Sequence, residues 1–439
     1  MSSGLHQFFN LRRGEGLPVL LAGLYFFFVL TALMVLRPAR DAIGMSGGLD
    51  AIRWLFIGTA VVTLAVNPAF GWLVSRFRRL TFISATYAFF AASLAGFYCL
   101  IVLAPDAVGE VSGRVFYVWF SVFNLFSTMV FWALMADRFS FEQSKRVFGV
   151  VAVGGTLGAI FGPWLASQLA RPLGTPALML VAAVFLCLAV AAAWGVARVQ
   201  PEVGRAGGDD VNERAIIGGN AWAGISAVFR SPYLLGISAY VLVMTIIATF
   251  IYFTRLAMVA AAADDTDTRT VLFANIDLIT QVATFVLQAV VTGQLMKRFG
   301  VAVALALLPI VVSLGFIGLA MAGSFAMLIV FDASFRAIQR AITRPARETL
   351  FTVVTREEKY KSKAFTDTFV YRGGDVIGAW TEGGLATFGL GLLGLASVAV
   401  PLALIWGGLG LWLGRHQQRA GAASLPAGAR STVAPETRA

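Results

Sequence analysis

Charged side chains recur at one-turn spacing inside stretches that are otherwise apolar. Asp332, Arg336, Arg340 and Arg344 follow one another every four residues, which sets them along one slowly drifting face of a helix. Asp367, Tyr371 and Asp375 repeat the step, with Arg372 adjacent, and Asp277 falls inside a further apolar run. A guanidinium offers a planar pair of N–H donors that can grip phosphate or carboxylate through two parallel bonds. A carboxylate in such surroundings can hold a counter-charge or take up a proton. Two segments concentrate the first kind of chemistry. "LRPARDAIG" at 36–44 and "ITRPARETLF" at 342–351 both write Arg-Pro-Ala-Arg-acid where an apolar run stops.

The elements that must position these groups follow from composition. The 439 residues are 58% hydrophobic and 13% charged, with a mean hydropathy of +0.80, far from soluble globular usage. A spanning helix needs about 20 mostly apolar residues. Such runs lie near 16–40, 54–75, 81–103, 114–136, 147–170, 176–197, 233–256, 270–296, 301–322, 324–343, 364–389 and 393–414. The expectation is an all-α membrane protein of twelve transmembrane helices. The first run is too long for a signal segment and no small-residue cleavage site follows it, so it reads as an uncleaved span. The long polar interval at 198–231 divides an N-terminal six-helix bundle (1–197) from a C-terminal one (232–414). The small, polar, Pro-containing stretch at 415–439 reads as a disordered cytoplasmic tail.

Lysine and arginine placement sets the orientation. With a cytoplasmic N-terminus, Lys145, Lys297, Lys359, Lys361, Lys363 and most arginines fall on the cytoplasmic side, whereas Asp106, Glu110, Asp264, Asp265 and Asp267 fall opposite. That is the positive-inside pattern of a bacterial-type cytoplasmic membrane, with both termini inside. The net charge of +11 is then a matter of topology and anionic lipid, with the bilayer rather than nucleic acid as partner. No obligatory protein partner is evident.

Several chemistries find no support. Cys99 and Cys187 both lie within predicted helices, against a disulfide framework or a metal site, and read as small apolar packing residues. His6 and His416 lie outside the helices, so a buried histidine relay is excluded. No GxxxxGK[ST] is present, and neither an enzyme nor a cofactor is indicated. "GGTLGAIFG" at 154–162 has no lysine and sits in an apolar span, where close helix packing through small residues explains it.

Read inward from Ser324, Asp332 and Arg336 sit roughly 12 to 18 Å deep, near the midplane, at 1.5 Å per residue. They form either a structural i,i+4 pair or part of a polar cavity, since ionisable groups at such depth are costly. Arg340 and Arg344 approach the surface and could simply snorkel. Arg37 and Arg255 close the first and seventh runs at matching positions. Arg37, Arg40 and Asp41 share a helical stripe that Pro38 kinks or ends. Asp277, Asp332, Asp367 and Asp375 are the groups that could bind a coupling proton, and spacing does not choose among them.

Two resemblances add to this. "GWLVSRFRR" (71–79) and "GQLMKRFGV" (293–301) share Gly-x-Leu-x-x-Arg-Phe at equivalent places in the two halves. The repeat resembles the loop between helices two and three of the major facilitator superfamily, with Ser75 and Lys297 standing where that loop has Asp. The likeness implies two parallel six-helix repeats around a central site. "YFFFVLTALMVLRPARD", "FWALMADRFSFEQSKRVFG" and "REEKYKSKAFTDTF" further resemble segments of the ATP/ADP translocases, a related twelve-helix group. Leu36, Arg37 and Asp41 match, as do Trp132, Ala136, Lys145, Arg146, Lys361, Lys363, Ala364 and Asp367. Asp137 and Arg138 occupy that family's Asn-Glu pair, and the acidic residue lost there weakens the case for ATP/ADP exchange itself.

The resemblance implies a secondary transporter of a nucleotide or other anionic solute working by alternating access. Its substrate-binding candidates are Arg37, Arg40, Arg255, Asp332, Arg336, Arg340, Lys363, Asp367 and Arg372. The two Arg-Pro-Ala-Arg segments would then lie at opposite mouths of the cavity. A proton-coupled transporter of a different solute, and a sensor or scaffold on the same fold, stay open as alternatives.

Overall fold

The computed structural model describes residues 14–76, 79–104, 109–200, 226 and 228–423. Most of the 198–231 interval, the end of the tail, His6, Asp106 and Arg78 of the first repeated loop lie outside the described residues.

Among the described residues the chain is helical throughout, in twelve long elements. The first half supplies α1 (Gly16–Gly44), α2 (Gly48–Arg76), α3 (Arg79–Leu103), α4 (Glu110–Arg138), α5 (Phe141–Leu173) and α6 (Ala177–Val199). The second supplies α7 (Pro232–Ala262), α8 (Thr266–Val290), α9 (Thr292–Ala322) and α12 (Gly391–Ala423) as long helices, with two interrupted ones between α9 and α12. In α10, Phe325–Ile338 passes through a π turn, Gln339–Thr343, into Arg344–Leu350. In α11, Arg356–Phe365 passes through a π turn, Thr366–Val370, into Tyr371–Thr387. Among the described residues nine stretches are long and apolar enough to cross a membrane, α1 and α2 counting together as Gly16–Val66. The interrupted α10 and α11 are not among them, and these are the helices that carry the spaced charges.

Two compact units result: Met1–Asp209 with Arg255–Val282, and Asp210–Thr254 with Ala283–Ala439. The first unit takes in the hairpin where α7 ends and α8 begins. Val35 and Ala39 of α1, Ala166 and Ala170 of α5, Leu178 of α6 and Ala274 of α8 form one small-residue cluster. Asp267 accepts from the Thr175 N–H at 2.7 Å in the same region.

The "GGTLGAIFG" segment does what its small residues suggest. It lays α5 against α1 so closely that a Cβ on Gly154 would meet the Gly23 carbonyl oxygen at 2.2 Å, and one on Gly158 the Phe27 oxygen at 2.3 Å. Backbone cannot retreat as a flexible side chain can. Gly158→Leu is therefore expected to abolish the monodisperse peak on size exclusion. Gly149→Leu, whose Cβ meets nothing within 4 Å, should give a near-parental yield. Above this contact Phe26 stacks on Phe131 at 4.1 Å, and Tyr25 donates to Tyr87, which donates to the Ser127 carbonyl. The buried hydroxyls thus finish on a backbone acceptor.

Pro38 neither ends nor caps α1. It lies inside the helix, which runs on to Gly44, so Arg37, Arg40 and Asp41 are all helical. Spanning helices tolerate such prolines because neighbouring helices re-satisfy the freed groups. In α9 a break at Gly300 (φ +77°) separates a short helix carrying the second repeated motif from the apolar span, where the sequence reading begins its ninth run. The cysteines correct another expectation. Both are free and lie on exposed helix surfaces, not in the packed interior.

Candidate functional site

In the first unit, five charged groups from three helices converge. Asp41 accepts from Arg40 on its own helix and from Arg255 Nη2 of α7 at 3.2 Å. Asp277 of α8 lies 3.8 Å from Arg255 Nη1 and 3.7 Å from Arg37 Nε. Asp41, Arg255 and Asp277 retain only 1%, 3% and 4% side-chain exposure, against 23% for Arg37 and 15% for Arg40. The guanidinium of Arg40 lies over Tyr117 at 4.7 Å and near Phe120 at 5.1 Å, and that of Arg255 near Phe273 at 5.6 Å. Aromatic faces of this kind favour a cation electrostatically. Four predicted site residues, Arg37, Arg40, Arg255 and Asp277, are thus neighbours. Asp41, not among the predicted site residues, joins Arg40 of α1 to Arg255 of α7.

In the second unit the remaining residues fall into three groups. Arg336 Nη2 donates to Asp332 at 2.6 Å inside α10, both buried. One turn on, Arg340 lies half-buried in the π turn. The next group joins α10 to α11: Arg347 stands 3.6 Å from Glu348 and 3.5 Å from Asp367, and Lys363 donates to Glu348 at 2.5 Å. Further along α11, Arg372 donates to Asp375 at 3.4 Å.

Both π turns touch this machinery. Pro345 has no N–H to continue an ordinary ladder, and the chain meets it just after a wide turn in which the Arg344 N–H reaches back to the Gln339 carbonyl. The Tyr371 N–H makes the same five-residue reach to Thr366. π turns inside helices often mark functional sites.

Arg347 and Glu348 are the residues that sequence reasoning passed over as site candidates, although the second Arg-Pro-Ala-Arg-acid segment contains them. The two copies now show a shared local device. In each, the final Arg-acid dipeptide pairs with itself while the acid holds a cation from another helix, Arg255 in the first and Lys363 in the second.

Arg138 has a structural post. Its guanidinium donates to the Ala197 and Gln200 carbonyls at 3.4 and 3.1 Å, and the Gln200 amide returns a bond to the Arg138 carbonyl. A cation at the C-terminal end of α6 complements that helix's dipole. Arg146 is likewise tied, to Glu15 at 2.9 and 3.1 Å, and Trp132 packs among Phe26, Phe131 and Phe148.

At the end of α10, burial would raise the Glu348 carboxyl. The bond and charge of Lys363, with the charges of Arg347 and Arg344, outweigh it and hold the group below its ordinary value. A depressed folded-state value contributes stability that is present above the unfolded value and is lost as pH falls through the folded one. Thermal stability should therefore decline on acidification below about pH 4.5, near the ordinary glutamate value. Glu348→Gln should show a smaller decline in a pH series of melting curves.

Twelve helices with ion pairs set inside apolar segments define a polytopic membrane protein with the fold of a solute transporter. The chain belongs to the major facilitator superfamily, whose family model matches residues 12–354. Among solved structures it is similar to a bacterial homologue of the human lysosomal transporter Spinster, in an inward-facing and unoccupied conformation. That match has a TM-score of 0.61 at 14% identity and covers 93% of this chain and 98% of the other. A mutant of the nucleoside transporter NupG matches at 0.61 and 12%, covering 92% and 99%. A bacterial homologue of the iron transporter ferroportin, in an inward-facing state, matches at 0.63 and 11%, covering 90% and 98%. A search of curated proteins finds no match.

Proposed function

We propose that the protein is a secondary transporter of an anionic solute, with phosphorylated metabolites, nucleotides among them, as the substrate class. The observation that carries this reading is the arginine content of the charged helices inside an apolar fold. From Phe325 to Leu350, α10 has four arginines (Arg336, Arg340, Arg344, Arg347) against two acids (Asp332, Glu348), four minus two giving a formal +2. Buried ion pairs are seldom kept for stability alone, because apolar residues of similar size often do as well. Guanidinium forks at membrane depth are suited to oxyanions. In this reading Arg37 and Arg336 are the anion ligands. Arg40, Arg340, Lys363 and Arg372 supply further positive field. Arg255, almost fully enclosed, positions Asp41 and Asp277, and Asp332 and Asp367 orient the arginines beside them.

The reading also keeps two six-helix halves, a cytoplasmic membrane location and termini facing the cytoplasm. A cysteine at Asp265 should label from outside the cell and one at Glu357 should not; both positions are exposed. The reverse pattern would overturn the orientation.

A thermal-shift screen of the purified protein tests the substrate class, since binding to the folded state raises apparent stability. ATP, ADP, inorganic phosphate, sugar phosphates and citrate are the anionic arms, and choline and a neutral sugar the controls. Stabilisation by an anion, reduced in Arg336→Lys, is expected. Stabilisation by the neutral or cationic arm alone would remove the anionic substrate from consideration.

A further inference from the structure

Asp41, Asp277, Asp332, Asp367 and Asp375 are five of the carboxylates on the long helices, and the first four are held by buried arginines or open to solvent. Asp41 and Asp277 each face two arginines. Asp332 is bonded to Arg336 at 2.6 Å. Asp367 is 40% exposed beside Arg347. Asp375 differs on both counts. Among the described residues its ion-pair partner is Arg372 at 3.4 Å, three residues back on the same helix, and its own side chain is only 18% exposed.

The elements around it add little charge. Next to Asp375, Gly374 and Gly378 bring α11 hard against α7, where their Cβ atoms would meet Thr245 Oγ1 at 1.8 Å and the Ile246 carbonyl oxygen at 2.9 Å. This is the small-residue spacing that lets spanning helices approach closely. The α7 face it meets is Leu242, Thr245, Ile246 and Thr249, with no ionisable group, and the Thr249 hydroxyl is the polar atom that reaches Asp375. From Gly391 to Gly414, α12 carries no ionisable residue. The other charged or titratable groups in reach belong to Tyr371 on α11 and, through it, to Arg340 and Arg347 of α10. Arg372, meanwhile, is 30% exposed, more than Arg37, Arg40, Arg255, Arg336 or Arg347 in their own pairs.

From this juxtaposition, and resting on the anion-transporter reading, we infer that Arg372 is shared between the transported anion and Asp375, and that Asp375 takes up one proton when the anion takes the arginine. A carboxylate deprived of its counter-charge in a poorly hydrated site favours its neutral form. The step balances simply. An O–H bond breaks on a hydronium ion on the open side, leaving water, and an O–H bond forms on Asp375. The anion and the proton cross together. When the anion leaves, Arg372 returns to Asp375 and the proton is released on the far side. An anion of charge −n thus moves net charge of 1 − n.

Infrared difference spectra against pH test this with inorganic phosphate standing in for the natural substrate. The purified protein and Asp375→Asn are compared, each with and without the probe at millimolar concentration. The parent should gain a carboxylic-acid band on acidification that Asp375→Asn lacks, and phosphate should raise the midpoint of that band by about one pH unit, a tenfold gain in proton affinity. Identical spectra from the two proteins overturn the proton site. A midpoint that phosphate does not move overturns the sharing of Arg372. A parallel thermal shift then tells whether the anion failed to bind, which faults the substrate class, or bound without coupling. Should Asp375→Asn not fold, Arg372→Gln gives the second reading. It should raise the band's midpoint without any anion, and an unchanged or lower midpoint overturns the inference.

Discussion

Arg336→Lys should bind the transported anion about ten- to a hundredfold more weakly than the parent while inserting into the membrane at near-normal yield. Lysine keeps the charge but replaces a planar fork with a hydrated point charge. Losing a charge-assisted bond in a partly desolvated site costs on the order of 1.5 to 3 kcal/mol. Arg336 is buried and bonded to Asp332 at 2.6 Å, so a purely structural pair is the rival explanation. The double change Asp332→Asn with Arg336→Gln separates the two. Neutralising both partners avoids an unpaired buried charge, so a merely structural pair should leave transport near the parent's. A binding role makes the double variant as inactive as the single one.

Arg255→Leu should have the largest effect on stability. Removing one partner of a buried ion pair costs roughly 3 to 5 kcal/mol when it strands the opposite charge. Here Asp41 keeps Arg40 and Asp277 keeps Arg37, which places the expected loss near the lower end of that range. The melting temperature in detergent should fall clearly, and adding Asp41→Asn should recover part of the fall. Recovery of this kind identifies Arg255 as the residue that holds α1 to the α7–α8 hairpin. An unchanged melting temperature would leave it without that role.

The spans were legible because their signal is simple. About 20 apolar residues in a row admit few readings, and the twelve helices fall where those runs lie. The small-residue contact of α5 was equally readable, since a glycine every fourth residue on one face has few other uses. Helix interruptions were harder. Nothing in the composition of Gln339–Thr343 or Thr366–Val370 marks a π turn, because a five-residue reach is a matter of backbone register. Pro345 was the one hint for the first of them.

Pairings of the charged groups were only partly legible. Steps of four gave Asp332 with Arg336, a contact within one helix. Asp41 with Arg255, separated by 214 residues, depends on how helices meet, and no spacing reports that. The repeated Arg-Pro-Ala-Arg-acid segment pointed to the right places but to the wrong detail. In both copies the acid holds a cation from another helix, but the first copy reaches Asp277 through its first arginine, Arg37, and the second reaches Asp367 through its last, Arg347. Arg138 shows the same limit. As a departure from a family motif it suggested altered substrate chemistry, and the fold uses it to cap α6.

Transport in liposomes containing only this protein tests the central claim most directly. The vesicles would be loaded with an unlabelled phosphorylated compound, chosen from those that stabilise the protein, and given the labelled form outside. Label accumulating inside against its own gradient, without ATP hydrolysis and sharply reduced in Arg336→Lys, is the predicted result. No accumulation above protein-free vesicles under either a counter-substrate or a proton gradient, with a compound shown to bind, would contradict it.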